Sequence, residues 1–346
     1  MKTKAAILYE INKPLVIEQV EIPDLKRGQV LVKILYSGVC RAQYNEIIGL
    51  KGPDKWLPHM LGHEASGTIE EVGEGITKVK KGDYVALSWI KGDGLDGINT
   101  QYKKGNTIIN AGGITTFSDF SVVSENRVTK ISKRIDPESA SIVGCAVATG
   151  CGIIDNALKA KEGNSVAVFG AGGVGLNVIM GAKRRGCNPI IAVDLTPEKL
   201  NFAMQCGATH TVDATRIDVW QLLKKIAPDG VDFTIDASGN KQAMEMAFDL
   251  AKEGRGVCVI AGNLSKDEKI SIHPFELIKV KKLLGTWGGE TRPSYDIPKY
   301  VDAFAKGQLP INQLITHRFV LDEINKAFDI LKKGDAGRIV IKMGHA

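Results

Sequence analysis

The stretch Val166-Ala167-Val168-Phe169-Gly170-Ala171-Gly172-Gly173-Val174-Gly175 constrains this chain more than any other. Four apolar residues run into Gly-x-Gly-x-x-Gly, and a helix-compatible segment follows. In that context Gly170 permits a tight turn and Gly172 lets the backbone approach a pyrophosphate. Gly175 allows close packing of helix on strand, and the helix start at Gly173 and Val174 offers oriented N–H groups to an anion. A second predicted strand ends at Asp194, 19 residues after Gly175. A carboxylate there accepts hydrogen bonds from ribose hydroxyls and repels a 2′-phosphate, which selects NAD over NADP. Lys199 can reach the same ribose, and on spacing alone it reads equally as a solvated helix lysine. The competing reading of the whole stretch is a glycine-rich structural turn with an incidental Asp.

Around this feature the chain divides in character. Before residue 130, short strands are predicted at Lys4–Leu8, Gln29–Ser37, Gly67–Val72, Tyr84–Leu87 and Phe120–Val123, broken by turns such as Gly73-Glu74-Gly75 and Lys81-Gly82-Asp83. Short strands at this spacing predict a barrel-like β unit. From Pro137 onward, strands at Val166–Phe169, Ile190–Val193, His210–Val212, Val231–Asp236, Val257–Ala261 and Lys282–Trp287 alternate with helices such as Pro197–Cys206 and Asn240–Lys252. The first of these helices has Thr196 to cap it, Pro197 at its first position and Gly207 to end it. This alternation predicts a doubly wound parallel sheet, so the fold class is α/β. The expected division is 1–145 for the first domain, completed by about 294–346, and 146–293 for the coenzyme domain. A last strand is predicted at Gly337–Met343.

Composition excludes several classes. The chain has 346 residues, 44% hydrophobic and 24% charged, ample for two packed cores. The net charge of +6 comes from scattered residues without a nucleic-acid reader motif, so no nucleic-acid partner is expected. Residues 164–182 carry no charge, but their five glycines indicate strand, turn and helix rather than a membrane span. No signal peptide precedes the first strand, which makes the cytoplasm the expected compartment and thiols or metal ligands the expected state of the six cysteines.

Three residues flanked by glycine stand out: Cys40 in Gly38-Val39-Cys40-Arg41, His63 in Gly62-His63-Glu64, and Cys145 in Gly144-Cys145. Two thiolates and an imidazole suit a catalytic zinc with one open position. Their separations of 23 and 82 residues form no motif, and each residue alone reads more readily as a packed core group.

Taken together, Gly-His-Glu-Ala-x-Gly at 62–67, Gly-Val-Cys-Arg at 38–41, Gly-Asp-Tyr-Val at 82–85, Gly-Ala-Gly-Gly-Val-Gly at 170–175, Gly144-Cys145-x-x-x-Thr149-Gly150 and Gly337-Arg338 resemble the zinc-dependent medium-chain alcohol dehydrogenases in collinear order. The resemblance implies a GroES-like β-barrel catalytic domain and a Rossmann coenzyme domain. It also implies that Cys40, His63 and Cys145 hold one catalytic zinc, which Glu64 can approach. By the same resemblance Arg41 and Arg338 bind the pyrophosphate, Thr149 lies against the nicotinamide and Trp287 sits beside the coenzyme. Read alone, the two arginines suggest surface salt bridges and Trp287 core packing. The family also suggests a homodimer or homotetramer.

Three departures from the family pattern follow. Ser88–Phe117 lacks the four cysteines of a structural zinc, so no structural zinc is expected and the region reads as a polar loop. Ala42 and Asn45 replace the hydroxyl and histidine that often relay the substrate proton; exchange with water, Glu64, Tyr44 and Glu46 are the alternative exits. Gln43 stands where a carboxylate often orients the ligand histidine. Cys151, Cys187, Cys206 and Cys258 read as core residues. His59, beside Pro58, reads as a loop residue with a substrate cleft as the alternative, and His273 and His317 are treated alike. The implied activity is reversible hydride transfer between a small alcohol and NAD, giving an aldehyde or ketone. The rivals are a polyol or sugar-phosphate dehydrogenase and an NAD-binding protein without turnover.

Overall fold

The computed structural model describes residues 1–334 and 336–345. Contacts divide the chain into two units, Met1–Cys145 with Arg292–Ala346, and Ala146–Thr291.

The first unit begins with β1 (Lys2–Leu8), β2 (Val16–Glu21), β3 (Gln29–Val39), β4 (His59–Met60), β5 (Glu64–Val72), β6 (Tyr84–Ser88), β7 (Thr100–Lys104), β8 (Thr107–Gly112), β9 (Phe120–Ser124) and β10 (Val128–Lys130). Strands β1, β2, β7, β8 and β4 close a barrel, while β10, β6, β5 and β3 lie side by side in a second sheet with β9 also paired to β3. The barrel-like unit expected from the turn spacing is therefore present. The polar loop expected over Ser88–Phe117 is only partly a loop, because its second half is the β7–β8 hairpin. Thr100 and Tyr102 point inward from Thr-Gln-Tyr-Lys-Lys while Gln101, Lys103 and Lys104 are exposed, and an alternation this short is hard to tell from a loop in sequence.

In the second unit, β11 (Val166–Phe169), β12 (Ile190–Asp194), β13 (His210–Asp213), β14 (Phe233–Asp236), β15 (Val257–Ile260) and β16 (Lys282–Gly285) form one sheet in the order β13-β12-β11-β14-β15-β16. Every pairing is parallel. All four residues of β11 are buried, as a central strand covered on both faces requires. The helix Pro197–Cys206 ends at Gly207 in the left-handed region as expected, but the Thr196 hydroxyl makes no capping bond. Asn240 does cap its helix, accepting from Ala243 N at 3.1 Å.

The chain then returns to the first unit with β17 (Ile315–Val320) and β18 (Arg338–Lys342). These strands pair in parallel, and β18 runs antiparallel to β3 with Ile339 opposite Val39.

Within the first unit, one carboxylate organises the cysteine-free loop. Glu125 is fully buried. Its Oε1 accepts from Thr77 N and Lys78 N, each at 2.8 Å, and its Oε2 accepts from Leu95 N at 2.7 Å. Burial alone would raise this carboxyl, but the amides of Leu95, Lys78 and Thr77 and the Lys78 ammonium outweigh it and hold the group below the ordinary carboxylate range. A depressed folded value contributes stability that is complete above the unfolded value of about 4.3 and is lost as pH falls. Replacing Glu125 with Gln sets an NH₂ against backbone donors. This variant is expected to lose about 2–3 kcal/mol in urea unfolding at neutral pH and to have a flatter acid limb than the parent. Equal stability of the two proteins at neutral pH would show that the carboxylate does not fasten the loop.

Candidate active site

The antiparallel ladder of β3 and β5 pairs Ser37 with Ala65. Cys40 follows the end of β3 and His63 precedes the start of β5, so this register brings together residues 23 positions apart. Ser37 Oγ donates to Glu64 O at 3.1 Å and shares a 2.7 Å hydrogen bond with Thr116 Oγ1, which pins the backbone beside His63. Cys145 arrives on a single π-helical turn, Val143–Val147. There Ser88 Oγ donates to Gly144 O at 2.6 Å, and a Cβ at position 144 would stand 1.9 Å from Leu87 O. Only glycine allows that approach.

The candidate ligand atoms of Cys40, His63 and Cys145 lie within 4.8 Å of one another. Cys145 hydrogen-bonds to the Cys40 sulfur, which drives the Cys40 thiol well below its usual range and the Cys145 thiol well above it. A divalent cation held between them would favour both sulfurs as thiolates. His63 Nε2 is buried; burial alone would lower the imidazole's value, but the adjoining Cys40 sulfur outweighs it and raises it, so a cation bound here would take the place of that proton. Two thiolates and one imidazole match zinc's preference for soft N/S ligands, so the residues fit the ion.

The surrounding residues hold this set in place. With its amide oxygen toward the Gly62–His63 peptide, Gln43 accepts from Gly62 N at 2.6 Å and His63 N at 3.2 Å. It thus grips the backbone of the histidine. Glu64 is fully buried and ion-paired with Arg338, itself only 5% exposed. The return strand β18 delivers that guanidinium. Arg41 lies at the surface, with Nη2 donating to Leu331 O at 3.0 Å and its guanidinium 5.4 Å from the Tyr44 ring centre.

In the second unit, Gly170 has φ +96° and ends β11, and a Cβ on Gly175 would fall 1.9 Å from Gly170 O. Gly173 and Val174 open the helix Gly173–Arg184. A Cβ at Gly172 would meet nothing within 4 Å, which is the open approach a pyrophosphate needs. Asp194 binds the same loop, its Oδ2 accepting from Ala171 N at 2.7 Å and its Oδ1 from Thr196 N at 3.1 Å. Lys199 is half-buried near the start of the following helix, Thr149 is buried in the helix Ala148–Gly152, and Trp287 is 77% exposed rather than packed.

Residues 26–133 match the family described as "Alcohol dehydrogenase GroES-like domain" and residues 173–306 match "Zinc-binding dehydrogenase". The chain is 34% identical to alcohol dehydrogenase 1 of Petunia hybrida, covering 100% of this chain and 98% of that protein. This chain belongs to the zinc-dependent alcohol dehydrogenase family. An S-(hydroxymethyl)glutathione dehydrogenase of Synechocystis is likewise 34% identical, covering 99% of this chain and all of that one. Benzyl alcohol dehydrogenase of Acinetobacter calcoaceticus superposes with a TM-score of 0.89 at 27% identity, covering 99% and 100% of the two chains.

His59 departs from the loop placement that its sequence suggested. It is a buried member of barrel strand β4 rather than a loop residue. With Glu46 and Asp54 it forms a second close group, and Glu46, His59 and His63 line one cavity of about 420 Å³. The proline beside His59 signalled a turn and hid a two-residue strand. Cys151, Cys187, Cys206 and Cys258 are buried, and burial pushes their thiols up to about 11 or 12.

The Glu64–Arg338 pair invites a direct measurement. Removing one member of a buried ion pair costs about 3–5 kcal/mol, because the other charge is stranded. Arg338→Met is expected to lose that much in urea unfolding, and the double variant Glu64→Gln/Arg338→Met markedly less than the sum of the single losses. Additive losses would mean the two side chains are energetically independent.

Proposed function

We propose that this family member catalyses reversible hydride transfer between an alcohol and NAD, giving an aldehyde or ketone, with one thiolate-held catalytic zinc at Cys40, His63 and Cys145 and no structural zinc. The observation that carries this reading is the convergence of those three ligand atoms with His63 on the wall of the 420 Å³ cavity. When bound, the zinc supplies Lewis acidity that lowers the pKa of the alcohol. The chain does the rest. Gln43 fixes the His63 backbone, and the Glu64–Arg338 pair keeps a compensated carboxylate beside the ligand histidine. Arg41 and Arg338 supply positive charge for the pyrophosphate. In the coenzyme domain, Gly170–Gly175 cradle the phosphates, Thr149 faces the nicotinamide, and Asp194 with Lys199 reads the ribose.

A polyol or sugar-phosphate substrate is the second reading. It is favoured by the polar wall of the cavity, where Glu46, His59, Asn99, Gln101 and Asn110 face the space. A homodimer or homotetramer is supported by the exposed apolar residues Leu277, Ile278, Val280, Leu284 and Trp287 on and beside edge strand β16. No helix of the described residues is long and apolar enough to cross a membrane. A reducing cytoplasm would keep Cys40 and Cys145 available as ligands.

Cys40→Ala is expected to lose its zinc, measured by elemental analysis, and to lower kcat/KM at least about a thousandfold while NAD binding persists. Normal turnover by this variant would remove the zinc mechanism, and absence of zinc from the native protein would favour a binding protein without turnover. Asp194→Ala should weaken NAD binding about tenfold and narrow its advantage over NADP. A native protein that prefers NADP would overturn the role given to Asp194.

A further inference from the structure

The sheet order β13-β12-β11-β14-β15-β16 reverses between β11 and β14: the chain runs outward from β11 to β13, then resumes at β14 on the other side of β11. In a doubly wound sheet, a ligand lies in the crevice outside the carboxyl ends of the two strands that flank this point. Here those ends are Phe169 and Asp236, which pair with each other across the ladder. Gly170 follows the first, and Ala237-Ser238-Gly239-Asn240 follows the second.

Asp236 has no exposed surface. Its Oδ1 accepts from Ser238 N at 3.1 Å and from Ser238 Oγ at 2.5 Å, and its Oδ2 accepts from Gly239 N at 3.3 Å. Oδ2 also occupies the space beside Gly262, where a Cβ would stand 2.4 Å from it. The segment gathered in this way backs onto the glycine turn. Ala237 N donates to Phe169 O at 2.8 Å, and a Cβ on Gly170 would lie 2.8 Å from both Ser238 N and Ser238 Cα. Ser238 Oγ accepts from Asn240 N at 3.0 Å, which extends the arrangement to the cap of the helix Lys241–Leu250. One carboxylate therefore fixes the wall against which Gly170 turns.

A second carboxylate, Asp232, immediately precedes β14 at its opposite end. Its Oδ2 accepts from Ser165 N at 3.0 Å, Ser165 Oγ at 3.2 Å and Asn164 Nδ2 at 3.2 Å. Burial raises both carboxyls. At Asp232 the donors of Ser165 and Asn164, with Arg255 beside them, outweigh it and hold the group below its ordinary range. At Asp236 burial outweighs the donors of Ser238, Gly239 and Gly262, and the group lies above its ordinary range. A carboxyl raised in the folded state loses stability for the fold as pH climbs past its unfolded value of about 3.9. Ionising Asp232 thus stabilises the fold, whereas ionising Asp236 costs stability, and stability alone does not account for a carboxylate at that end of the strand.

We propose that Asp236 is a positioning residue for coenzyme binding: by holding Ser238 and Gly239 against the Gly170 turn, it fixes the loop that receives the pyrophosphate. Lacking exposed surface, it acts through that segment and touches no ligand itself. This rests on the coenzyme reading of Gly170–Gly175 given above. With Asn at this position, Oδ1 can keep the Ser238 bonds, but an NH₂ then faces the Gly239 amide. Donor against donor displaces the segment, and the Gly170 turn loses its backing.

The test measures NAD affinity for the zinc-loaded native protein, Asp236→Asn, Ser238→Ala and Asp232→Asn, each at a temperature well below its own Tm. Asp236→Asn is expected to bind NAD about tenfold more weakly, with KM for NAD raised and kcat at saturating NAD unchanged. Ser238→Ala removes one bond to the carboxylate and should lose about threefold. Asp232→Asn alters a comparable set of bonds at the far end of the same strand, and it should bind NAD as the native protein does whatever its Tm. In the native protein, amide hydrogen exchange across residues 236–240 should slow when NAD is added, a measurement that stands even where Asp236→Asn does not fold. Native affinity in Asp236→Asn, an equal loss in Asp232→Asn, or exchange across 236–240 that NAD leaves unchanged overturns the assignment. A native protein that binds neither NAD nor NADP removes the coenzyme reading and this inference with it, and that result is visible before any variant is made.

Discussion

Antiparallel pairing of β3 with β5 sets Ser37 opposite Ala65, and pairing of β3 with β18 sets Val39 opposite Ile339. These two registers determine which side chains meet where Cys40, His63 and Cys145 gather. A shift of one residue along either ladder would turn the alternate set of side chains to the other face, carrying Glu64 or Arg338 out of the buried pair. The hydroxyls of Ser37 and Thr116 act on the same ladder, since both meet the carbonyl oxygen of Glu64. The chemistry of the first unit thus depends on backbone hydrogen bonds before it depends on any ligand.

That dependence explains what could be read from the chain and what could not. The glycine turn is local: strand, Gly170, Gly172, Gly175 and the next strand's Asp194 lie within one short stretch, so the pattern carried its own geometric meaning. Cys40, His63 and Cys145 become neighbours only through the β3–β5 register and the Gly144 approach to Leu87. Spacing could not show this, and resemblance to a known family had to supply it. The β7–β8 hairpin and two-residue strand β4 were missed for a related reason. Their identity comes from pairing partners, β7 with β8 and β4 with β1 and β8, rather than from their own hydrophobic pattern.

The buried ionisable groups follow one rule, that charge enters the interior only with its compensation built in. Glu125 is surrounded by backbone amides and Glu64 by the Arg338 guanidinium. The first of these accounts for a segment that had looked like an unassigned loop. A single carboxylate fastens Thr77, Lys78 and Leu95 through their backbone amides.

The same rule applies to proton movement at these carboxylates. Glu125 and Glu64 each have donors placed for one charge state, so moving a proton there would strand those donors. His59 is held on both ring nitrogens as well, with Nδ1 3.1 Å from Met60 O and Nε2 2.8 Å from Asp54 Oδ2, so its ring orientation is fixed on the wall of the cavity that His63 also lines.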